Sequence, residues 1–272
     1  MAGTLFVVST PIGNLGDMSF RAVDVLSSAA LVVAEDTRHS RRLLDHYQIS
    51  TRCLAYHEHN EARETPRLVR RLSEGESIAM ITDAGTPLLS DPGARLVAAA
   101  IEAGITVVPV PGASALLAAL VASGMAGDRF TFFGFLPRKG KDRLRALGDI
   151  MRMTHAAVIY ESPLRVGATL RELSDAGAGS RTAVVARELT KKFEEFARGT
   201  AAELAERYSE APARGEVVIL ISGALPAELN EDALRDRAQS MLAGGLPPRD
   251  VVERLIGEHG APRNVAYRLA HE

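Results

Sequence analysis

Eight apolar runs of four to seven residues, rich in β-branched side chains, recur along the first 222 residues of this chain. They stand at residues 5–8, 31–34, 78–82 and 105–110, and again at 130–133, 156–160, 182–187 and 216–222. Runs with little polar alternation suit strands buried on both faces. Helix-like segments at 20–30, 95–103, 114–123, 163–173 and 200–208 lie between them; Pro163 is a favoured first helical residue, and Thr200-Ala201-Ala202-Glu203 spells a capping box. Strands interleaved with helices predict an α/β fold with largely parallel sheets.

The pattern restarts after the small-residue helix at 114–123, giving two α/β halves, residues 1–112 and 113–224. Beyond Gly223 the strand signal stops. Residues 225–272 hold 6 Arg and 8 acidic residues on helical spacing, broken by Pro247-Pro248 and Pro262, and read as a small helical appendage. Lys+Arg 32 against Asp+Glu 34, a net charge of −2, excludes a globally basic nucleic-acid coat, so any polyanion site has to be a local patch. The lone cysteine, Cys53, excludes a disulfide framework and a multi-cysteine zinc site, and fits a cytoplasmic protein. The start, MAGTLFVVSTPIG, lacks the basic and apolar regions of a signal peptide. Residues 103–127 are uncharged and long enough to span a bilayer, but Gly104, Pro109, Pro111, Gly112 and Gly124 interrupt them; a strand, a turn and a small-residue helix are expected instead of a membrane span.

The chemistry gathers where the runs end. STPIGNLGD (9–17) follows the first run, but Pro11 and Asn14 stand where a Rossmann loop needs glycine. AEDTRHSRR (34–42) follows the second: Asp36 suits a base or an orienter of a substrate hydroxyl, and Arg38, Arg41 and Arg42 suit phosphates, while Asp36 or Thr37 capping the next helix is the plainer alternative. ITDAGTPLLSDPG (81–93) and VPVPGASALLAAL (108–120) add two more glycine/proline turns, and Gly112 and Ser114 open a helix whose N-terminus favours an anion. Three such turns converge on one sheet edge, where α/β folds bind ligands. In the second half, Glu161 and Arg165 are spaced to pair with each other, and 187–192 (RELTKK) reads as a mixed-charge site or a salt-bridged rim. Residues 137–152 hold 6 Lys/Arg against 2 Asp behind Phe132, Phe133 and Phe135, a composition suited to RNA or to a plain basic helix face. The histidines offer only His57-x-His59 as ligand spacing, so no metal is expected.

Taken in order, STPIGNLGD, AEDTR, ITDAGTPLLSDPG, PGASA, FFGFLPRKG, YESPLR and RELTKKFEE closely resemble the RsmI family of 16S rRNA cytidine 2′-O-ribose methyltransferases, within the tetrapyrrole methylase superfamily. The resemblance covers nearly all of residues 4–223, and the tail around Gly260, Arg263, Asn264 and Tyr267 is similar to that family's C-terminal helices. It implies two α/β domains with S-adenosylmethionine in the cleft between them. Carried over by motif, the cofactor residues are Pro11, Ile12 and Gly13; Asp83, Ala84, Gly85, Thr86 and Leu89; Gly112, Ser114 and Ala115; and Tyr160. The expected substrate is a decoding-centre cytidine of 16S rRNA in the 30S subunit, and the expected assembly is a homodimer. Methyl transfer to a weakly acidic ribose hydroxyl calls for a base or a cation: Asp36, Glu161 and Glu188 are the base candidates, Lys191 and Arg38 the cations. Arg38, Arg41, Arg42, Arg138, Lys139, Lys141, Arg143 and Arg165 are the expected RNA contacts. Two rivals stand beside this reading: a corrin-precursor methylase, which would not need the basic segment, and a non-catalytic ribosome-assembly factor with a decayed cofactor pocket.

Overall fold

A computed structural model describes residues 2–224 and 231–272. The expected start of the appendage, residues 225–230, lies outside the described residues. Two compact units emerge, one of residues up to Met151 with His155–Ser222, the other of Arg152–Thr154 with Gly223–Glu272.

The first unit holds two sheets. Its first begins with β1 (Thr4–Val8), α1 (Phe20–Ser28), β2 (Leu31–Ala34), α2 (Thr37–His46) and β3 (Cys53–Ala55), and continues through α3 (Glu61–Ser73), β4 (Ile78–Ile81), α4 (Ala94–Glu102) and β5 (Thr106–Val110). All its pairings are parallel, in the order β3-β2-β4-β1-β5. Alternate residues of each strand serve opposite cores. Leu31, Val33, Ile78 and Met80 pack with Leu68, Leu72 and Leu96 on one face; Val32, Ala34, Ala79 and Ile81 pack with Leu26 and Leu44 on the other. With both faces covered, the central strands β2 and β4 hold no polar residue, which is why their runs are uninterrupted.

The second sheet is preceded by α5 (Ala115–Ser123) and comprises β6 (Phe130–Phe135), α6 (Lys141–Arg152), β7 (Ala156–Glu161), α7 (Val166–Leu173), β8 (Thr182–Arg187), β9 (Glu195–Thr200), α8 (Ala201–Glu210) and β10 (Val217–Ile221). The strand order is β6-β7-β10-β8-β9. Only β6–β7 is parallel; β7–β10, β10–β8 and β8–β9 are antiparallel. The expectation of largely parallel sheets therefore holds for the first sheet and fails for the second. The seven residues between β8 and β9 are too few for a parallel crossover. Helix α5 covers one face, its Leu116, Ala119 and Leu120 meeting Val158, Val184, Val218 and Leu220, and Ile12 from the turn after β1 joins the same core. Gly167 lets α7 lie against α8, since a Cβ there would stand 2.8 Å from the Tyr208 carbonyl.

Arg143, expected to contact RNA, turns inward instead. Its side chain is 7% exposed and pairs with Glu172 (Nε to Oε2, 2.7 Å), while its guanidinium donates to the Pro137 carbonyl (3.0 Å) and the Thr169 hydroxyl (3.0 Å). Thr169 in turn donates to Glu161 Oε2 (2.6 Å), so one network ties α6, α7 and the end of β7.

In the second unit, α9 (Glu231–Ala243), α10 (Pro248–His259) and α11 (Arg263–Leu269) surround Leu234, Ala238, Val251, Leu255, Ala266 and Leu269. Pro248 starts α10 and Gly260 ends it in the left-handed conformation.

Replacing Arg143 by Ala strands the partners of a buried charge and should cost about 3–5 kcal/mol of stability, whereas Met, of similar volume, should cost less. Urea unfolding of both variants checks this; a loss below about 1 kcal/mol for Ala, the level of a surface pair, would show the network to be solvated.

Candidate functional site

The parallel sheet puts the ends of β1, β4 and β5 side by side. Thr10 and Gly85 exchange backbone hydrogen bonds (2.9 and 3.1 Å), and Ser9 N donates to the Val110 carbonyl (3.1 Å). Side chains extend the seam: Ser9 Oγ meets Thr86 Oγ1 at 3.3 Å, and Thr86 donates to the Ala113 carbonyl at 3.2 Å. Gly85 (φ +80°), Leu88 (φ +76°) and Ser90 (φ +70°) all occupy the left-handed region, and two of these are not glycine. Strain of this kind persists where surrounding structure enforces it and clusters at binding sites.

Above this seam lies a cavity of about 370 Å³, within the size range of small-molecule sites. Eight expected cofactor residues line it: Ile12, Ala84, Gly85, Thr86, Leu89, Ser114, Ala115 and Tyr160. Ser114 caps α5, its Oγ accepting from Leu117 N, and the Tyr160 hydroxyl accepts from Leu116 N at 3.1 Å, fixing the ring beside Phe132 and Phe135. Burial pushes the Tyr160 phenol up, so it stays neutral. The cavity also presents Asp91, Glu161 and Glu216, of which sequence reasoning did not select Asp91 or Glu216. Burial, then the charge of Glu35, raises the Asp91 carboxyl to about 6.

A second cavity, of about 530 Å³, shares Ile12, Ala84 and Glu216 with the first. It receives Pro11, Gly13 and Asp83, and its walls add His39, Arg42, His46 and Lys191. Gly112 lines neither; a Cβ there would press on Ser9 at 3.0 Å, so its place is a close backbone crossing rather than a ligand surface.

Lys191 lies across Gly13, where a Cβ would stand 2.4 Å from its Cγ. Its ammonium is 3.0 Å from Glu188 Oε1 and 3.1 Å from Glu216 Oε2. Burial opposes that charge, but the hydrogen bonds to both carboxylates outweigh it and hold the Lys191 pKa above its ordinary value. The Lys191 hydrogen bond likewise holds Glu188 below the usual carboxylate range.

Other candidates are placed elsewhere. Asp36 caps α2: its Oδ1 accepts from Arg38 N (2.8 Å) and its Oδ2 lies 3.1 Å from the Arg38 guanidinium. The Arg38 hydrogen bond lowers its carboxyl to about 2, and neither Asp36 nor Arg38 lines either of these two cavities. The plainer alternative, a cap, describes it, and a carboxyl so acidic is a poor base. The Glu161 carboxylate is occupied by Ser162 N (2.8 Å) and Thr169, with Arg165 Nε at 3.7 Å, so Arg165 is half-buried against Glu161 rather than displayed. Arg138, Lys139 and Lys141 are exposed and, among the described residues, make no ion pair; Arg41 is exposed 3.9 Å from Asp45. Among the described residues no three His, Cys, Asp or Glu side chains are grouped to hold a metal, and no helix is long and apolar enough to cross a membrane.

The family described as Tetrapyrrole (Corrin/Porphyrin) Methylases matches residues 4–205. The chain belongs to that family. This methylase is 44% identical over 273 residues to a Synechocystis protein, covering 99% of this chain and 98% of that one, and 45% identical over 273 residues to one from Pseudomonas aeruginosa, covering 99% and 97%. Both are named Ribosomal RNA small subunit methyltransferase I. Among solved structures it is similar to the cobalt precorrin-4 methyltransferase (TM-score 0.62, 19% identity, 80% of this chain and 94% of that one). It is similar too to uroporphyrin-III C-methyltransferase from Thermus thermophilus complexed with S-adenosyl homocysteine (TM-score 0.58, 18%, 81% and 97%). Those likenesses establish the fold. With its full-length relatives, they make the chain a methyltransferase.

A carboxyl whose pKa is raised on folding stabilises the protein below its unfolded pKa and loses that contribution as pH rises through the folded value. For Asp91 the fall runs from about pH 4 to pH 6. Asp91→Asn should therefore raise the melting temperature of the ligand-free protein at pH 7 and not at pH 4. The gain should stay near 1 kcal/mol, because half the group faces water. Scanning calorimetry at both pH values checks this; equal shifts at both would sever the effect from ionisation.

Proposed function

We propose that this methyltransferase moves a methyl group from S-adenosylmethionine to the 2′-oxygen of a ribose in small-subunit ribosomal RNA, at the cytidine 1402 site of the decoding centre. The observation that carries this reading is the pair of adjoining cavities, of which the first has carboxylates as its only charged walls and the second adds Arg42 and Lys191. The first is bounded by apolar Ile12, Leu89 and Val218, has glycine at Gly85 where backbone closes in, and presents a carboxylate at Asp91. That donor set fits a nucleoside bearing a positive charge. Bound there, S-adenosylmethionine would supply a methyl carbon to the acceptor oxygen, the carbon–sulfur bond breaking in line as the carbon–oxygen bond forms, with S-adenosylhomocysteine leaving and the hydroxyl proton passing to water. The Tyr160 hydroxyl and the Ser114 cap hold the start of α5 in place beneath it.

The second cavity fits the acceptor. Arg42, which makes no ion pair among the described residues, with His39 and His46, suits a nucleotide phosphate. Lys191 faces the same space and is set to stabilise charge developing on the acceptor oxygen, while Glu188 and Glu216 keep it ionised and accept hydrogen bonds. Positioning then supplies much of the acceleration. Outside the cavities, Arg41, Arg138, Lys139 and Lys141 are the proposed contacts to flanking RNA. The names carried by full-length relatives at 40–45% identity favour ribosomal RNA over a tetrapyrrole, since the tetrapyrrole enzymes among the structural neighbours stand at 18–19%. Such work places the protein in the cytoplasm. Leu117 and Val121, one turn apart on α5 and 51% and 71% exposed, offer an apolar stripe that a second copy would cover in a homodimer.

Labelled methyl transfer to isolated 30S subunits, with mapping of the modified nucleotide, tests the assignment. Label on one cytidine ribose is expected; label on a base, transfer to a free tetrapyrrole instead, or no affinity for S-adenosylmethionine would each defeat it. Lys191→Met, which keeps the stem over Gly13 and removes the charge, should slow transfer roughly ten- to a thousand-fold with cofactor affinity unchanged.

A further inference from the structure

Seven residues join β8 to β9, where two would suffice for a hairpin. Glu188 (φ +52°) and Thr190 (φ +64°) both adopt the left-handed conformation, for which a β-branched residue such as Thr190 is poorly suited. The loop is nonetheless pinned from within. Leu189 is buried in the core under the second sheet, and Lys191 is held across Gly13 by its two carboxylates. Glu194 Oε2 accepts from Thr190 N at 2.7 Å, while Lys191 N and Glu194 N donate to the carbonyls of Glu188 and Lys191. Two side chains are left over at the tip. Phe193 is 66% exposed, and Lys192, which makes no ion pair among the described residues, places its ammonium 5.6 Å from the centre of the Phe193 ring.

A large aromatic held in water on a strained, immobilised loop has no role in the core. The inner side of this loop carries Lys191, a wall of the second cavity, two residues along the chain from Phe193. Ring faces bind unstacked bases without regard to sequence, and an adjacent cation strengthens the platform and meets phosphate.

We infer that Phe193, backed by Lys192, is a stacking finger for a base of the RNA strand flanking the nucleotide to be methylated. A nucleotide entering a pocket leaves its neighbours unstacked, and an aromatic side chain nearby recovers part of that loss. The inference rests on the ribosomal RNA reading above and adds to it a residue that touches neither cofactor nor acceptor.

Steady-state methylation of 30S subunits by Phe193→Ala, Phe193→Leu and Phe193→Trp tests it, with wild type alongside and S-adenosylmethionine affinity measured for each. The Ala variant should lose about ten- to a hundred-fold in kcat/KM, the scale of one base stack. Its cofactor affinity and melting temperature should match wild type, because Phe193 is not in the core. Trp should restore activity and Leu should not. Wild-type kcat/KM in the Ala variant overturns the finger, as does a Trp variant no better than Ala. Rescue by Leu equal to Trp also overturns it and assigns the tip to an apolar protein surface. If wild type itself transfers no methyl to 30S subunits, the RNA reading falls first and the finger with it.

Discussion

Two hydrogen bonds between the backbones of Thr10 and Gly85 carry more of this molecule than their number suggests. They join the turn after β1 to the turn after β4, which the strand order has already brought side by side. Ile12 then has one direction in which to go, into the core under the second sheet. The same residue divides the two cavities, with Ala84 beside it. Sheet contact, core contact and site geometry are thus three consequences of one local constraint. The strain at Leu88 and Ser90 lies on the same turn and is held there by the same seam.

Charge is sorted by position rather than by total. A chain with a net charge of −2 keeps Asp91, Glu161 and Glu216 around one space, and around its neighbour sets Arg42 and Lys191 against Asp83 and Glu216. Glu216 belongs to both, and Lys191 is tied to it. A single ion pair, Lys191–Glu216, therefore sits where the two cavities meet, and its members cannot shift independently.

The strands legible in the sequence were those that carry a run of four or more mostly apolar residues, whether central, as β2, β4 and β10, or at an edge, as β5 and β6. The two strands the runs did not reveal, β3 (Cys53–Ala55) and β9 (Glu195–Thr200), are edges too short or too polar to carry such a run. Their residues are largely half-exposed, and Glu195 and Arg198 are as compatible with a charged rim as with a strand. Helix α3 was hidden too, by Pro66 in its interior and four arginines along it. Strand direction is not written in composition, so the antiparallel insertion of β10 was beyond reach. Most of the turns that line the first cavity were readable because glycine and proline mark turns. Glu216 looked like the start of a strand and Asp91 like part of a turn; only their convergence from distant segments gives them a role. Arg143 was misread for the same reason. An arginine on a basic helix looks solvated until Glu172, 29 residues away, is seen to take its charge inward.

Strand β10 pairs with both β7 and β8, yet it is the last strand of its unit to be made. Until residues 217–221 leave the ribosome, β7 and β8 each lack their central partner, and α5, apolar all round, lacks Val218 and Leu220 from the core it packs into. The first sheet is complete by residue 110 and is free to close early, as N-terminal units do during synthesis. The second waits through about a hundred residues of elongation with its core open. Maturation of this chain therefore has a built-in order: the half that bears the Asp91 turn settles first, and the space above it becomes a cavity only when translation is nearly over.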